Sequence, residues 1–235
     1  MKTRLAILMI ALSMKSVPFA VVAANAPTGF PFTDESLRYT VNWPTGVALG
    51  EVRMQAKNVK GWKFDMSLSG GIPGLEIKDT YSATANANFC SDTFNREFQH
   101  GSRKGSEKET IDRTHLLVSR VTLNGGGKSE FPVPDCVKDA LTLLYYARRE
   151  LGQGRVPAAQ QMLFGGLYQV ALTYAGPQTI QSAGRPAITD EVVCDITGAR
   201  SSLRFEMYFA RDAARTPLLV KAPFALGKFS MELVR

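Results

Sequence analysis

Apolar and polar residues alternate along most of this chain, and a period of two leaves little choice of structure. Such a segment covers its apolar face only as a strand in a sheet. In ESLRYTVNW, Leu37, Tyr39, Val41 and Trp43 share one face, while Arg38, Thr40 and Asn42 take the other. In GWKFDMSLSG the split is Trp62, Phe64, Met66 and Leu68 against Lys63, Asp65, Ser67 and Ser69. Tyr168, Val170, Leu172 and Tyr174 repeat the pattern, then Leu203, Phe205, Met207 and Phe209, and finally Phe229, Met231 and Leu233. Turn residues fall between these runs, at Pro44 to Gly46, Asn58 to Gly61, Asn124 to Gly127, Gly184 to Pro186, Gly198, and Asp212 to Thr216. Connections this short impose antiparallel pairing, because a parallel return needs a long crossover. The expected fold class is mainly β: an antiparallel meander of about ten strands, curled into a barrel or half-barrel with a greasy concave face.

One segment breaks the alternation. DCVKDALTLLYYARRELGQG carries a helical stripe of Val137, Ala140, Leu141, Leu144, Ala147 and Leu151, with Leu143 and Tyr145 at its margins. Lys138, Thr142, Arg149 and Glu150 lie opposite. Asp135 is the expected N-cap, Asp139 suits the positive end of the dipole, and Gly152 and Gly154 supply a stop. This predicts one central helix over about residues 136–151, filling the curled sheet. Arg148 falls in the middle of the apolar stripe, where a guanidinium must find a carboxylate, carbonyls or a ligand anion. Asp79, on a strand face with Ile77 and Tyr81, is a possible internal partner. The sharper reading reserves Arg148 for an anionic head group at the mouth of an apolar cavity. Arg148, Tyr145 and Asp79 are therefore the candidate ligand-binding residues.

The N-terminus bears the three parts of a secretory signal: basic Lys2 and Arg4, an apolar run from Leu5 to Met14, and small residues at Ala24 and Ala26. Residues 1–24 are expected to leave as a signal peptide, cut after Ala24 or Ala26, and residues 25–235 to form a single β-rich domain in the periplasm. No later segment is apolar for long enough to span a bilayer. Of the formal charge of +7, Lys2, Arg4 and Lys15 leave with the signal, so +4 remains. An excess that small, and scattered, does not argue for nucleic acid. Three cysteines in an oxidising compartment allow one disulfide. Cys194 shares a strand face with Val192 and Ile196 and reads as a small buried hydrophobe. Cys90 and Cys136 sit at element ends and are the favoured pair, although spacing alone leaves the pairing open.

No catalytic motif is present. The two histidines, His100 and His115, lie in or beside the polar stretch GSRKGSEKETIDR, which reads as a solvated hairpin tip. GGIPG and LNGGGK lead into no helix and read as turns rather than phosphate cradles. The carboxylate pairs Asp34 with Glu35 and Asp190 with Glu191 read as solvated. No cofactor is expected, and no Cys or His spacing suits a metal.

The segments DCVKDALTLLYYARRELGQG, MLFGGLYQVALTYAG and FARDAARTPLLVKAPFALGKFSMELVR together resemble the bacterial domain-of-unknown-function family 3108. The resemblance rests on a helix motif at Asp139, Leu141, Tyr145 and Arg148, and a closing motif at Arg215, Pro217, Leu218, Val220, Pro223, Leu226 and Gly227. It implies an exported protein without an assigned activity, and FCSDTFNREF resembles members with a cysteine there, which favours Cys90 with Cys136. A looser likeness of curled sheets holding a helix reaches periplasmic lipoprotein carriers of the outer-membrane sorting type, but function does not follow from fold. The first functional expectation is a non-enzymatic binding or carrier protein for a hydrophobic or lipid-like ligand. The second is a cell-envelope interaction or assembly factor with a filled core, partnered by an envelope protein. The third is an unrecognised hydrolase.

Overall fold

The alternating segments become strands of one sheet. The computed structural model describes residues 35–234 apart from 73, 124, 200, 225 and 226. The expected signal peptide, residues 1–24, lies outside the described residues. The first half of the sheet contains β1 (Glu35–Asn42), β2 (Ala48–Asn58), β3 (Trp62–Ile72), β4 (Leu75–Ala85), β5 (Ser91–His100), β6 (Arg103–Asp112), β7 (Leu117–Thr122) and β8 (Gly127–Pro132). A short β9 (Lys138–Asp139) leads directly into α1 (Ala140–Gly152). The second half then runs through β10 (Gln160–Leu163), β11 (Leu167–Ser182), β12 (Arg185–Thr197), β13 (Ser202–Ala210), β14 (Pro217–Phe224) and β15 (Gly227–Leu233).

The spatial order is β8 back to β1, then β15 back to β9. Every neighbouring pair is antiparallel except β9 with β10. The first and last strands join the halves, with Tyr39 opposite Leu233 and Val41 opposite Met231. The sheet begins at β8 and ends at β9 without pairing them, so it is not closed. Among the described residues fifteen strands replace the expected ten or so. Part of the excess is β6, which runs through the polar stretch expected to be a hairpin tip. Its outward Lys104, Lys108 and Asp112 are exposed, while Glu109 and Ile111 are buried on the inner face.

The helix lies between the two halves of the sheet. Leu141 and Tyr145 belong to a buried cluster with Tyr39, Val52, Met54, Trp62, Phe64 and Phe94. Leu143 and Leu151 belong to another with Val170, Val192, Cys194, Met207 and Phe209. One sheet covering two sides of one helix must curl around it. The predicted start of the helix is corrected: Asp139, not Asp135, is the N-cap, its carboxylate accepting from the Leu141 and Thr142 amides. The chain stays extended up to Asp139 because Lys138 and Asp139 pair in parallel with Met162 and Leu163. Thr142 and Glu150, expected on the wet side, are buried as well, since the helix is enclosed on both sides. At the other end Gln153 caps and Gly154 takes a left-handed φ of 74°.

Cys90 and Cys136 form the disulfide. The adjacent Ser91 amide donates to the Val137 carbonyl at 3.0 Å, so the segment entering the helix is tied to the start of β5. Closing a loop with a sequence separation of 46 contributes about 4 kcal/mol in the chain-entropy picture.

Candidate functional site

The two sides of α1 are filled differently. Toward β2 to β5 the side chains are large and aromatic: Phe64 stacks on Tyr145 with ring centroids 4.4 Å apart, and Trp62 stacks on Phe64 at 5.8 Å and on Phe89 at 5.3 Å. Toward β11 to β14 the inward residues include Val170, Leu172, Cys194, Phe205 and Met207, and the helix offers Ala140 and Ala147 among its leucines. Leu143 and Leu151 pack against this face, and beside that contact lies a cavity of about 510 Å³, walled also by Met54, Met66, Tyr81 and Phe94 of the first half and within the usual range of roughly 300–1,000 Å³ for small-molecule sites. None of its lining residues carries a charge, and the lining reaches the surface at the exposed Ser201 and Ser202.

Cys194 is the free cysteine and is part of this wall. Burial pushes its thiol up to about 12, which keeps it protonated and unreactive as a nucleophile. On the opposite side the β10–β11 turn brings Phe164 against Tyr81 and Phe94, at 5.9 and 5.7 Å between ring centroids. Gly165 makes that turn with a φ of 67°, and its carbonyl accepts from Arg120 Nη1 at 2.8 Å. A hairpin from the second half is thereby fastened to β7 in the first.

The candidates read from the sequence lie beside this cavity rather than in its wall. Arg148 is fully buried. Its Nη1 and Nη2 each donate to Glu35 at 2.7 Å, and its Nε donates to the carbonyls of Ala214 and Arg215 at 3.1 and 3.2 Å. The suggested pairing with Asp79 is corrected: the partner is Glu35, which the sequence placed among solvated carboxylates. Tyr145, stacked on Phe64, has its hydroxyl pushed well above the ordinary tyrosine range by burial. Asp79 instead accepts from the Tyr81 hydroxyl at 3.0 Å and meets His100 Nε2 at 2.8 Å. Asp190 is likewise not idle, since Arg211, Arg215 and Tyr174 all bond to it.

The helix motif residues hold the frame. Asp139 is completely buried; burial raises its carboxyl, opposed by hydrogen bonds from Ser91 and Thr142. His115 bonds to Asp112 in an exposed turn, and neither histidine lines the cavity. Among the described residues no cluster of His, Cys, Asp and Glu could hold a metal ion, and no helix is long and apolar enough to cross a membrane. The residues of the cavity wall were readable as inward-facing positions of β11 to β13. That they enclose space had no signal in the sequence.

No curated protein sequence matches the chain. Among solved structures, it is similar to a β-barrel-like protein of the domain of unknown function DUF1849 from Brucella abortus. The TM-score is 0.63 at 5% identity, covering 88% of this chain and 98% of that one, a likeness of fold alone. The lipoprotein LppX of Mycobacterium tuberculosis aligns over 86% of this chain and 85% of its own at 11% identity, but its TM-score of 0.27 carries no argument. The family model described as a protein of unknown function, DUF3108, matches residues 38–234, and the chain belongs to that family.

Proposed function

We propose that this protein is an exported, non-enzymatic binding or carrier protein whose half-barrel takes a hydrophobic or lipid-like ligand into the cavity beside α1. The observation that carries this reading is the uncharged cavity of about 510 Å³. An envelope factor with a filled core would have no use for such a space, and burying hydrocarbon there gains about 25 cal/mol per Å² removed from water. The disulfide supports work in an oxidising compartment, and the expected signal peptide would deliver the chain to the periplasm.

The direct test is native mass spectrometry of the protein recovered from the periplasm of its own host. A co-purifying lipid-like molecule is the expected result, and repeated recovery of empty protein counts against a carrier. A second measurement uses the methionines of the wall as reporters. Loading the protein with a long-chain alcohol should shift the methyl resonances of Met162 and Met207, which line the cavity, whereas unchanged resonances place the alcohol elsewhere.

A further inference from the structure

One cation on the concave face has no acid to meet it. Arg96 is half-buried on β5 and pairs across the ladder with Tyr81, whose ring lines the cavity. Its guanidinium lies 5.1 Å from the centroid of Phe164, another lining residue, and 4.8 Å from that of Phe98. Of the neighbouring carboxylates, Glu109 faces Phe94 rather than Arg96, and the other two are committed elsewhere. Glu107, opposite Arg96 on β6, receives Arg120 at 2.6 Å, and Asp79 holds Tyr81 and His100. Among the described residues Arg96 forms no ion pair, and its Nε is buried without a hydrogen-bond partner.

A second cation, Arg103, lies close by. Arg103 lies 5.7 Å from the Phe98 centroid, and the His100 ring packs against the same side chain at 5.5 Å. Phe98 can lie flat there because β6 places Gly105 beneath it, where a Cβ would fall 2.4 Å from the ring. A guanidinium withdrawn from water onto aromatic faces ordinarily has an anion to complete it.

We propose that Arg96 is the head-group site of the cavity: its guanidinium receives the phosphate or carboxylate of an anionic amphiphile whose hydrocarbon tail lies past Phe164 in the apolar space. This rests on the carrier reading and adds the charge of the ligand to it. The planar fork of arginine matches either oxyanion in bidentate geometry.

The test compares dodecanoate, dodecyl phosphate and 1-dodecanol, which share a tail and differ in head. Binding to the delipidated full chain is measured by calorimetry at mildly alkaline pH, with inorganic phosphate alone as a tail-free control. Both anions should bind roughly tenfold or more tightly than the alcohol, and phosphate alone should give no measurable binding. Arg96→Gln should erase the preference by weakening the anions only, and Arg96→Lys should retain part of it. Equal affinity for all heads overturns the head-group site and leaves the carrier standing. Failure of all three amphiphiles overturns the carrier itself. Phosphate binding that Arg96→Gln abolishes, without preference among amphiphiles, replaces the proposal with a plain oxyanion site. An Arg96→Gln protein that loses dodecanol as well, with a lowered Tm, assigns Arg96 to the scaffold and overturns the proposal.

Discussion

Strands β2 to β5 and strands β11 to β13 present the same kind of alternating inward face to the same helix, and the first packs it with stacked rings while the second supplies most of the wall of the cavity. The filled side meets α1 through stacked rings, Trp62, Phe64 and Phe89 against Tyr145. The hollow side lines the space mainly with aliphatic, thioether and thiol side chains, with only Tyr168 and Phe205 as aromatics from β11 to β13, and the helix offers Ala140 and Ala147. Side chains around an unfilled space forgo dispersion contacts, so the packing of Leu143 and Leu151 on that side needs reinforcing. Polar ties at both ends of the helix do this. Asp139, Ser91 and the Cys90–Cys136 disulfide fix the start, and Arg148 with Glu35 and the 214–215 carbonyls fixes the end. A helix anchored at both termini can leave part of its middle unpacked on one side.

The largest expected effect comes from breaking a tie. Glu35→Ala strands a buried guanidinium and should cost about 3–5 kcal/mol by urea unfolding; a loss below about 1 kcal/mol would mean that the helix end is held by packing after all. The next comparison uses one residue from each side. Phe64→Ala should cost about 3–5 kcal/mol, and Phe205→Ala, which already borders empty space, about 1 kcal/mol; equal losses would erase the distinction between the sides. Adding volume reverses the sign. Ala83→Leu, in the filled side, should cost about 1–3 kcal/mol, whereas Ala147→Leu, facing the cavity, should leave stability unchanged or raised while weakening dodecanol binding.

The smallest effect probes the margin of the filled side, where Glu109 sits across from Phe94. Burial pushes its carboxyl from the ordinary 4.5 up to about 7, against the lowering pull of the Gly165 amide and Arg120. A carboxyl raised in the folded state contributes stability that is present below pH 4.5 and is lost as pH rises through about 7. Glu109→Gln should therefore flatten that decline and gain about 1–2 kcal/mol above neutrality. Urea midpoints taken across the pH range check it, and an undiminished decline in the variant would locate the titration in another group.

Strand faces were legible because period-two alternation is a local property, and Trp62, Phe64, Cys194 and Phe205 all point where it directs them. The disulfide was legible because Cys194 was accounted for by its strand face. Glu35 was not: it lies 113 residues from Arg148, and nothing local distinguishes it from a solvated acid. The cap was misplaced by four residues because the two-residue ladder with β10, which keeps the chain extended to Asp139, is a tertiary contact. The polar run of β6 hid a strand because its inward residues are spaced by polar ones that only the neighbouring β5 and β7 identify as outward. A cavity is a difference between the space a frame encloses and the volume of side chains inside it, and no window of sequence contains the frame.

The ladder between β1 and β15 has a kinetic meaning. Every other antiparallel pairing in the sheet joins strands consecutive in the chain, so each can zip as a hairpin, while this one must gather segments from the two extremes, such as Tyr39 and Leu233. Until it forms, two curled sheets each expose a bare edge, the arrangement most open to wrong pairing with another chain. A backbone-cyclised chain with a linker beside this joint would make the joint a hairpin like the rest and leave no ends to gather. It should fold faster into the same sheet; an unchanged rate would show that gathering the ends is not the slow step.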